Sequence, residues 1–458
     1  MRADTFNRRQ AIKSLGLGAV AGAVLPFHKT GAKELRPNII FILTDDHRFD
    51  AFGFMDKPWL KTPNFDRLAR EGVHFANSFV TTSLCSPSRA SFLTGQYAHC
   101  HGVMNNLTPW KDSNVTFLEL LHAQGYDTAF IGKWHMPGKG IPDLTGQGKV
   151  DRMVSFSIAT GQGIYNDCPL VVDGKDVKAK GYITDVLTDY ALEFLNQPQQ
   201  NPFCLYLSHK AVHYNFTPPD RHKGALKNIP LHEMEKNTRD LPMGVVHEPQ
   251  LRKFTENQQK YYETLMGVDD SVGQVLAWLD AKDLAEDTLV VYAGDNGYLW
   301  GEHGLIDKRY AYEESVRIPH LMRYPRLVAK GGRKVTEMTL NIDLAPTVLE
   351  AAGIEPPKSV QGRSYLELAA NKAVAGRSSF LYEYFNDPPF PQPPIKAVRT
   401  EDWKLITYPG QGGRFPDEMY HVAADPREQN DLALDPASSA KKSELAAELK
   451  RLEQESSC

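Results

Sequence analysis

Four short apolar runs, each ending abruptly in charged or metal-capable residues, limit most tightly what this chain can fold into. They are "NIIFILTDD" at 38–46, "YDTAFIGKWH" at 126–135, "NPFCLYLSHKAVH" at 201–213 and "EDTLVVYAGDNG" at 286–297. A continuous apolar run reads as a strand covered on both faces, because an exposed face would bring in alternating polar residues. Helical segments lie between the runs. "TFLELLHAQG" opens with a capping box of Thr116 and Glu119 and stops at Gly125. "TDVLTDYALEFL" carries a stripe of Val186, Leu187, Tyr190, Leu192 and Leu195. "QKYYETLMGVDDSVGQVLAWLDAKDL" repeats the pattern with Tyr262, Leu265, Val272, Val275, Leu276 and Leu279. This alternation predicts an α/β fold: a large, mostly parallel central sheet with helices on both faces. Ligands of such sheets bind beyond the C-terminal ends of the strands, where these polar endings collect.

The last eighty residues change character. "FLYEYF", "IKAVRT" and "WKLITY" are strand-like and "SELAAELKRLEQ" is helical, so a small C-terminal antiparallel sheet with a helix is expected. "NDPPFPQPP" at 386–394 is too rich in proline for a strand interior and reads as a loop near the pocket, a surface connector rather than a substrate contact. The expected organisation is an export signal over 1–33, a large domain over 34–376 that carries the polar rim and a small C-terminal subdomain over 377–458.

The net charge is only −4, so no global field draws the chain to nucleic acid or an anionic membrane. Positive charge that binds an anionic substrate must therefore be local. Near the N-terminus, Arg8 and Arg9 precede a small-residue apolar run from Leu15 to Phe27. That run is short of the roughly 20 apolar residues a membrane span needs, but it suits the apolar region of a signal peptide. The paired arginines with Ile12 and Lys13 resemble a bacterial twin-arginine export signal, although Ala11 stands where a large apolar residue is usual. The expectation is an exported, periplasmic or secreted protein with no integral membrane span. The five cysteines, Cys85, Cys100, Cys168, Cys204 and Cys458, form no CxxC pair. Their odd number leaves at least one outside any intrachain disulfide, and the pairing is not readable from spacing.

Asp45, Asp46, Asp295 and Asn296 offer only oxygen, which favours Ca²⁺ or Mg²⁺ over zinc. Strand-end capping, or an ordinary Asp-Asn-Gly turn, is the structural alternative. Lys133, His135, His213 and Lys308 bring cations and titratable imidazoles to the same rim. Such a set suits an anionic ester, with charge neutralised by metal and lysines and a proton moved by histidine. Cys85 begins "CSPSRASFLTG", with Pro87 just inside the expected helix, Arg89 one turn in and Gly95 at its end. A helix N-terminus favours an anion or a polarised nucleophile. The thiol could otherwise be a buried small hydrophobe or a thiolate nucleophile, although no His or Asn adjoins it.

"CSPSRASFLTG" resembles the signature of the formylglycine-dependent sulfatases of the alkaline-phosphatase-like superfamily: Cys-x-Pro-Ser-Arg, then a Leu-Thr-Gly ending. "PNIIFILTDD", "GYDTAFIGKWH", "GDNG", "GEHGLIDK", "IDLAPTVLEAAGI", "AVRTEDWKLI" and "MYHVAADPREQNDLA" resemble segments of the same family in the same order, from about Arg36 to Leu434. The resemblance implies that a formylglycine-generating maturation enzyme oxidises Cys85 to the aldehyde Cα-formylglycine. One hydroxyl of its hydrate attacks sulfur and expels the alcohol; the second permits the elimination that frees sulfate. The resemblance also implies Ca²⁺, with Mg²⁺ the lesser alternative, held by Asp45, Asp46, Asp295, Asn296 and the modified Cys85. Arg89 is then implied to stabilise the hydrate, and Lys133 and Lys308 to bind sulfate oxygens. His135 is implied as the base for elimination, and His213 as a sulfate contact or leaving-group acid. "SHKAVHYNFTPP" departs from the family's commoner Pro-His-x-Pro, since Val212 precedes His213, and His209 is a rival. His303 in "GEHGL" is either structural or pocket-lining.

Exported bacterial relatives mostly act on sulfated carbohydrates, so the expected substrate is an O-sulfate on a polysaccharide or oligosaccharide. "MNNLTPW" and "NIDLAPT" are similar to segments of N-acetylglucosamine-6-sulfatase-like enzymes. The competing readings are a phosphatase or phosphonate monoester hydrolase of the same superfamily, a non-catalytic Ca-dependent binder of sulfated glycans, and a thiol hydrolase.

Overall fold

A computed structural model describes residues 36–458, apart from 137–143, 146, 158–160, 199, 228, 230, 243–250 and 329–331. The expected export signal lies outside the described residues. Residues 36–458 form one compact unit. All four apolar runs become neighbouring strands of one ten-stranded sheet. From edge to edge its strands are Arg333–Val335, Val73–Phe75, His320–Arg323, Thr288–Gly294, Asn38–Thr44, Phe203–Ser208, Asp127–Gly132, Arg152–Phe156, Pro169–Val172 and Lys175–Lys178. The five strands from Thr288–Gly294 to Arg152–Phe156 are mutually parallel. Antiparallel pairing is confined to the flanks.

Both faces of the central strand are covered. Ile40 and Ile42 enter one apolar cluster with the helices Ile183–Leu195 and Phe254–Ala281; Ile39, Phe41 and Leu43 enter another with Phe92, Leu93 and Phe117. Successive side chains of a strand point to opposite faces, so double-sided cover turns alternation into a continuous apolar run. The capping box at Thr116 and Glu119 starts the helix Phe117–Ala123 as expected.

Strand register brings the polar endings level. Leu43 and Gly132 both align with Ser208, and Thr44 aligns with Gly294. Residues 45, 133, 209 and 295 therefore leave the sheet along one rim. Gly132 is required there: its φ is +118° and a Cβ would lie 1.8 Å from Ser208 O.

The C-terminal sheet has four antiparallel strands, Ser379–Tyr384, Ile395–Thr400, Lys404–Thr407 and Glu418–Tyr420. The fourth was not expected from sequence, because three residues show too little periodicity. The helix Ser439–Glu455 packs on this sheet through Leu445 and Leu449. The proline-rich stretch does not behave as a surface connector throughout. Asp387 is buried, accepting from Asn106 N at 3.1 Å and from Arg309 Nη2 at 3.1 Å.

Cys100 and Cys458 form a disulfide across 358 residues of sequence, while Cys85, Cys168 and Cys204 are buried thiols. Nearby, His99 Nε2 and Gln361 Nε2 lie 2.8 and 2.5 Å from Ser456 O. The bridge ties the chain's end to the short helix Ala98–His101, just beyond the helix that Cys85 opens. A cross-link closing so long a loop restricts the unfolded chain strongly. Cys458→Ser should therefore lower unfolding free energy by about 2–4 kcal/mol in chemical denaturation, as should reductant on the wild type. Equal stability with and without reductant would contradict this.

Candidate active site

Cys85 is the first residue of the helix Cys85–Thr94, and Leu84 before it is extended. Pro87 falls in the first turn, where its missing N–H costs nothing. Gly95 ends the helix at φ +70°. The Asn106 side chain caps the start from outside, accepting from Ser86 N at 3.1 Å. Cys85 and Arg89, four residues apart, share one helix face that looks onto the rim.

The Cys85 Sγ lies 3.5 Å from Asp45 Oδ1 and 3.2 Å from Lys308 Nζ. Lys133 donates to Asp45 Oδ2, and Lys308 to Asp46 Oδ1. Arg89 donates through Nε to Asp295 Oδ2 at 2.9 Å and through Nη1 to Ser208 Oγ at 2.7 Å; its Nη2 lies 2.8 Å from Asp295 Oδ2 and 3.4 Å from Asp45 Oδ2. Every one of these side chains is buried.

The donor set fits a divalent cation. One oxygen from each of Asp45, Asp46 and Asp295 lies within 4.8 Å of the others. Asn296 Nδ2 donates to Asp46 Oδ1 at 2.7 Å, while its buried Oδ1 has no hydrogen-bond partner. An orphaned buried carbonyl oxygen beside three carboxylates is where a hard cation belongs. The electrostatics agree. Burial pushes Asp46 up to about 7 despite Lys308, and Asp45 and Asp295 push it further. Burial and Asp45 likewise raise Asp295, against Arg89. Burial also acts to raise Asp45, but Lys133, His213, Arg89 and Lys308 together hold it well below the carboxylate range.

Burial, with Asp45, pushes the Cys85 thiol up to about 12. An unmodified thiol here stays protonated, which disfavours a thiol hydrolase. His213 joins Asp45 and Cys85, one atom from each lying within 4.8 Å of the others. His213 Nδ1 lies 2.5 Å from Tyr214 O, and Tyr165 OH donates to His213 O at 2.7 Å. His135 meets the helix start, its Nδ1 3.2 Å from Ser86 Oγ. Burial first, then Lys133, holds His135 well below the usual imidazole value; burial does the same to His213, against Asp45.

The rival His209 faces away, its Nε2 3.1 Å from Ser271 Oγ on the long helix. His303 stacks on Tyr312 at 3.8 Å between ring centres rather than joining Cys85. Non-glycine left-handed residues crowd this rim: Asp46, His135, Asp307 and Arg309 have φ of 56°, 61°, 85° and 84°. The last two bracket Lys308, and such strain persists only where surrounding structure imposes it.

Sequence reasoning missed several neighbours. Gln162 Oε1 accepts from Lys133 Nζ at 3.2 Å. Lys210 lies 5.0 Å from the Tyr165 ring centre, and burial, then Lys133, lowers it to about 8. Asp387 joins Arg309 to the Asn106 loop that caps the Cys85 helix. Gln162 and Asp387 sit in loops without periodicity, so no sequence signal pointed to them.

Oxygen donors, lysines and a helix-borne Cys-Ser-Pro-Ser-Arg at the C-terminal rim of a parallel sheet define a metal-assisted hydrolase of anionic esters. The chain belongs to the sulfatase family, whose model matches residues 37–354. A model for the C-terminal part of N-sulphoglucosamine sulphohydrolase matches 301–455. An N-acetylglucosamine-6-O-sulfatase of Bacteroides thetaiotaomicron is 32% identical, covering 87% of this chain and 82% of that protein. An ulvan-active sulfatase of Formosa agariphila is 29% identical over 91% of this chain and 81% of its own length. A solved enzyme in complex with its substrate D-glucosamine-2-N,6-O-disulfate superposes with a TM-score of 0.84 at 30% identity, covering 92% of this chain and 98% of that one. The protein is a sulfuric ester hydrolase, and the family implies a divalent metal in general. Among the described residues no helix is long and apolar enough to cross a membrane.

Proposed function

We propose that the protein removes an O-sulfate from a sulfated polysaccharide or oligosaccharide, with 6-O-sulfated glucosamine units as the substrate class, using formylglycine made from Cys85 by a maturation enzyme. The observation that carries the mechanism is Cys85 itself, at a buried helix start between Lys308 and Asp45. The substrate class rests on similarity to the N-acetylglucosamine-6-O-sulfatase and to the disulfated-glucosamine complex. The catalytic domain spans 34–376 and the C-terminal subdomain 377–458, and the chain is exported to the periplasm or beyond.

The hydrate of the aldehyde supplies one hydroxyl to attack sulfur and a second whose deprotonation frees sulfate. Asp45, Asp46, Asp295, Asn296 and the modified residue 85 would hold Ca²⁺, which would supply positive charge against the sulfate group. Arg89 orients the hydrate and offsets the charge of Asp45 and Asp295. Lys133 and Lys308 turn from these carboxylates towards sulfate oxygens, neutralising the charge that develops. His135, neutral because burial and Lys133 disfavour its cation, accepts the hydroxyl proton. His213 donates Nδ1–H to Tyr214 O, which leaves Nε2 a lone pair in the neutral ring. A bound sulfate ester, itself an anion, raises the affinity of Nε2 for a proton, which Nε2 then passes to the oxygen of the departing alcohol as the S–O bond breaks.

Sulfate release from 6-O-sulfated glucosamine, N-acetylated and N-sulfated, should outpace phosphate release from the matching phosphate ester. Faster phosphate release would overturn the sulfatase chemistry, and no release from any saccharide would overturn the substrate class. Chelation should abolish turnover and Ca²⁺ should restore it. Full activity in excess chelator would remove the metal from the mechanism.

A further inference from the structure

A second cluster of metal-capable side chains lies outside the machinery described above. One ring nitrogen of His303 and one oxygen each of Glu314 and Glu428 lie within 4.8 Å of one another. His303 Nε2 is 3.9 Å from Glu314 Oε2. Both atoms are buried and neither has a hydrogen-bond partner. Glu314 is only 7% exposed, and it forms no ion pair with a lysine or arginine among the described residues. A buried carboxylate left in this state is costly unless a proton or cation joins it.

The surrounding charges are already matched to one another. Glu302 pairs with Arg48 at 2.9 Å, and Glu313 with Arg399 at 3.0 Å and Lys404 at 2.9 Å. Lys404 also lies 2.6 Å from Glu428 Oε1, while Glu428 Oε2 accepts from Glu313 N at 2.8 Å. Glu314 is left without a lysine or arginine ion pair among the described residues, facing the unpartnered Nε2 of His303. His303 is held ready: its backbone is left-handed at φ 55°, its ring stacks on Tyr312, and its backbone N–H donates to Glu235 Oε2 at 2.9 Å.

We propose that His303, Glu314 and Glu428 form a second divalent-metal site, taking Zn²⁺ or Mn²⁺ and distinct in ligand chemistry from the oxygen-only set at Asp45, Asp46, Asp295 and Asn296. An imidazole with two carboxylates suits a first-row transition cation better than Ca²⁺. Ligand atoms on one zinc lie about 3–3.5 Å apart, so small side-chain rotations close the set. His303 lies five residues before Lys308, Glu314 starts from the short helix Glu313–Val316, and Glu428 follows the C-terminal sheet. The ion would staple the loop bearing Lys308 to the C-terminal sheet.

The test uses the full-length, tag-free protein, stripped of metal and then saturated with Ca²⁺ so that the oxygen-only set is occupied. After exposure to Zn²⁺ or Mn²⁺ and desalting, one transition-metal ion per chain should remain, and the thermal midpoint should rise with its concentration. His303→Ala and Glu314→Gln should each lose that ion at least tenfold more readily, while Asp295→Asn should keep it. Glu314→Gln preserves shape, so it tests the site even if His303→Ala folds poorly. Retention of no second metal by the wild type, or equal retention by both variants, would overturn the proposal. Neither outcome touches the sulfatase reading, which is tested by sulfate release.

Discussion

Cys85→Ala should reduce sulfate release by about 10⁴-fold or more while circular dichroism and unfolding behaviour stay close to wild type. The substitution removes the only side chain on the helix face that can become the nucleophile, and it removes little volume. Cys85 hydrogen-bonds to Asp45 and Lys308, lies near His213, and belongs to neither apolar cluster on the sheet faces, so those clusters are untouched. Mass spectrometry of the wild-type peptide supplies the second arm. Conversion of the thiol to the aldehyde lightens residue 85 by about 18 Da. An unmodified Cys85 in fully active protein, or a Cys85→Ala variant that still turns over, would overturn the mechanism. Cys85→Ser separates the two hydroxyls: it can be sulfated but has no second hydroxyl to expel sulfate, so a single turnover should be followed by arrest.

Arg89→Ala should cost about 3–5 kcal/mol of folding stability when measured on Ca²⁺-free protein, and should abolish turnover as well. Arg89 is 1% exposed and its guanidinium lies against Asp295, Asp45, Ser208 and the carbonyl of Lys133. Its removal leaves two buried carboxylates with less positive charge and takes the donor from Asp295 Oδ2 and Ser208 Oγ, while Lys133 O still accepts from the Ser208 hydroxyl. Added Ca²⁺ should recover part of the lost stability, because it offsets the same carboxylates. Arg89→Lys retains a charge but cannot make the fork of contacts, so it should fall between wild type and alanine. A Ca²⁺-free Arg89→Ala protein within about 0.5 kcal/mol of wild type would show that the guanidinium does not balance this charge.

Much of the fold was legible because its strands are covered on both faces. That condition writes a continuous apolar run at 39–43 and again at 203–207 and 289–293, and it makes the polar break after each run conspicuous. The strand Glu418–Tyr420 was not legible, since its three residues are too few to display a period. The disulfide was not legible either: five cysteines allow many pairings, and only the docking of the last helix brings Cys458 to Cys100. The proline-rich stretch 386–394 looked like a connector because proline excludes it from a strand. Its role appears only where Asp387 meets Arg309 and Asn106, residues 78 and 281 positions away.

By itself the sequence determined the chemistry of the rim. Side-chain types at strand ends, and the Cys-Ser-Pro-Ser-Arg that starts a helix, name the oxygen donors, the cations and the cysteine on which the proposed mechanism rests. The sequence favoured His213 over His209, but only the tertiary structure showed that His213 lies beside Cys85 and that His209 turns away. His209 and His213 stand four residues apart, yet one meets Ser271 and the other meets Asp45 and Cys85. The physical reason is that the direction of a side chain beyond a strand end depends on backbone torsions and on what packs against it, and neither is local in the sequence.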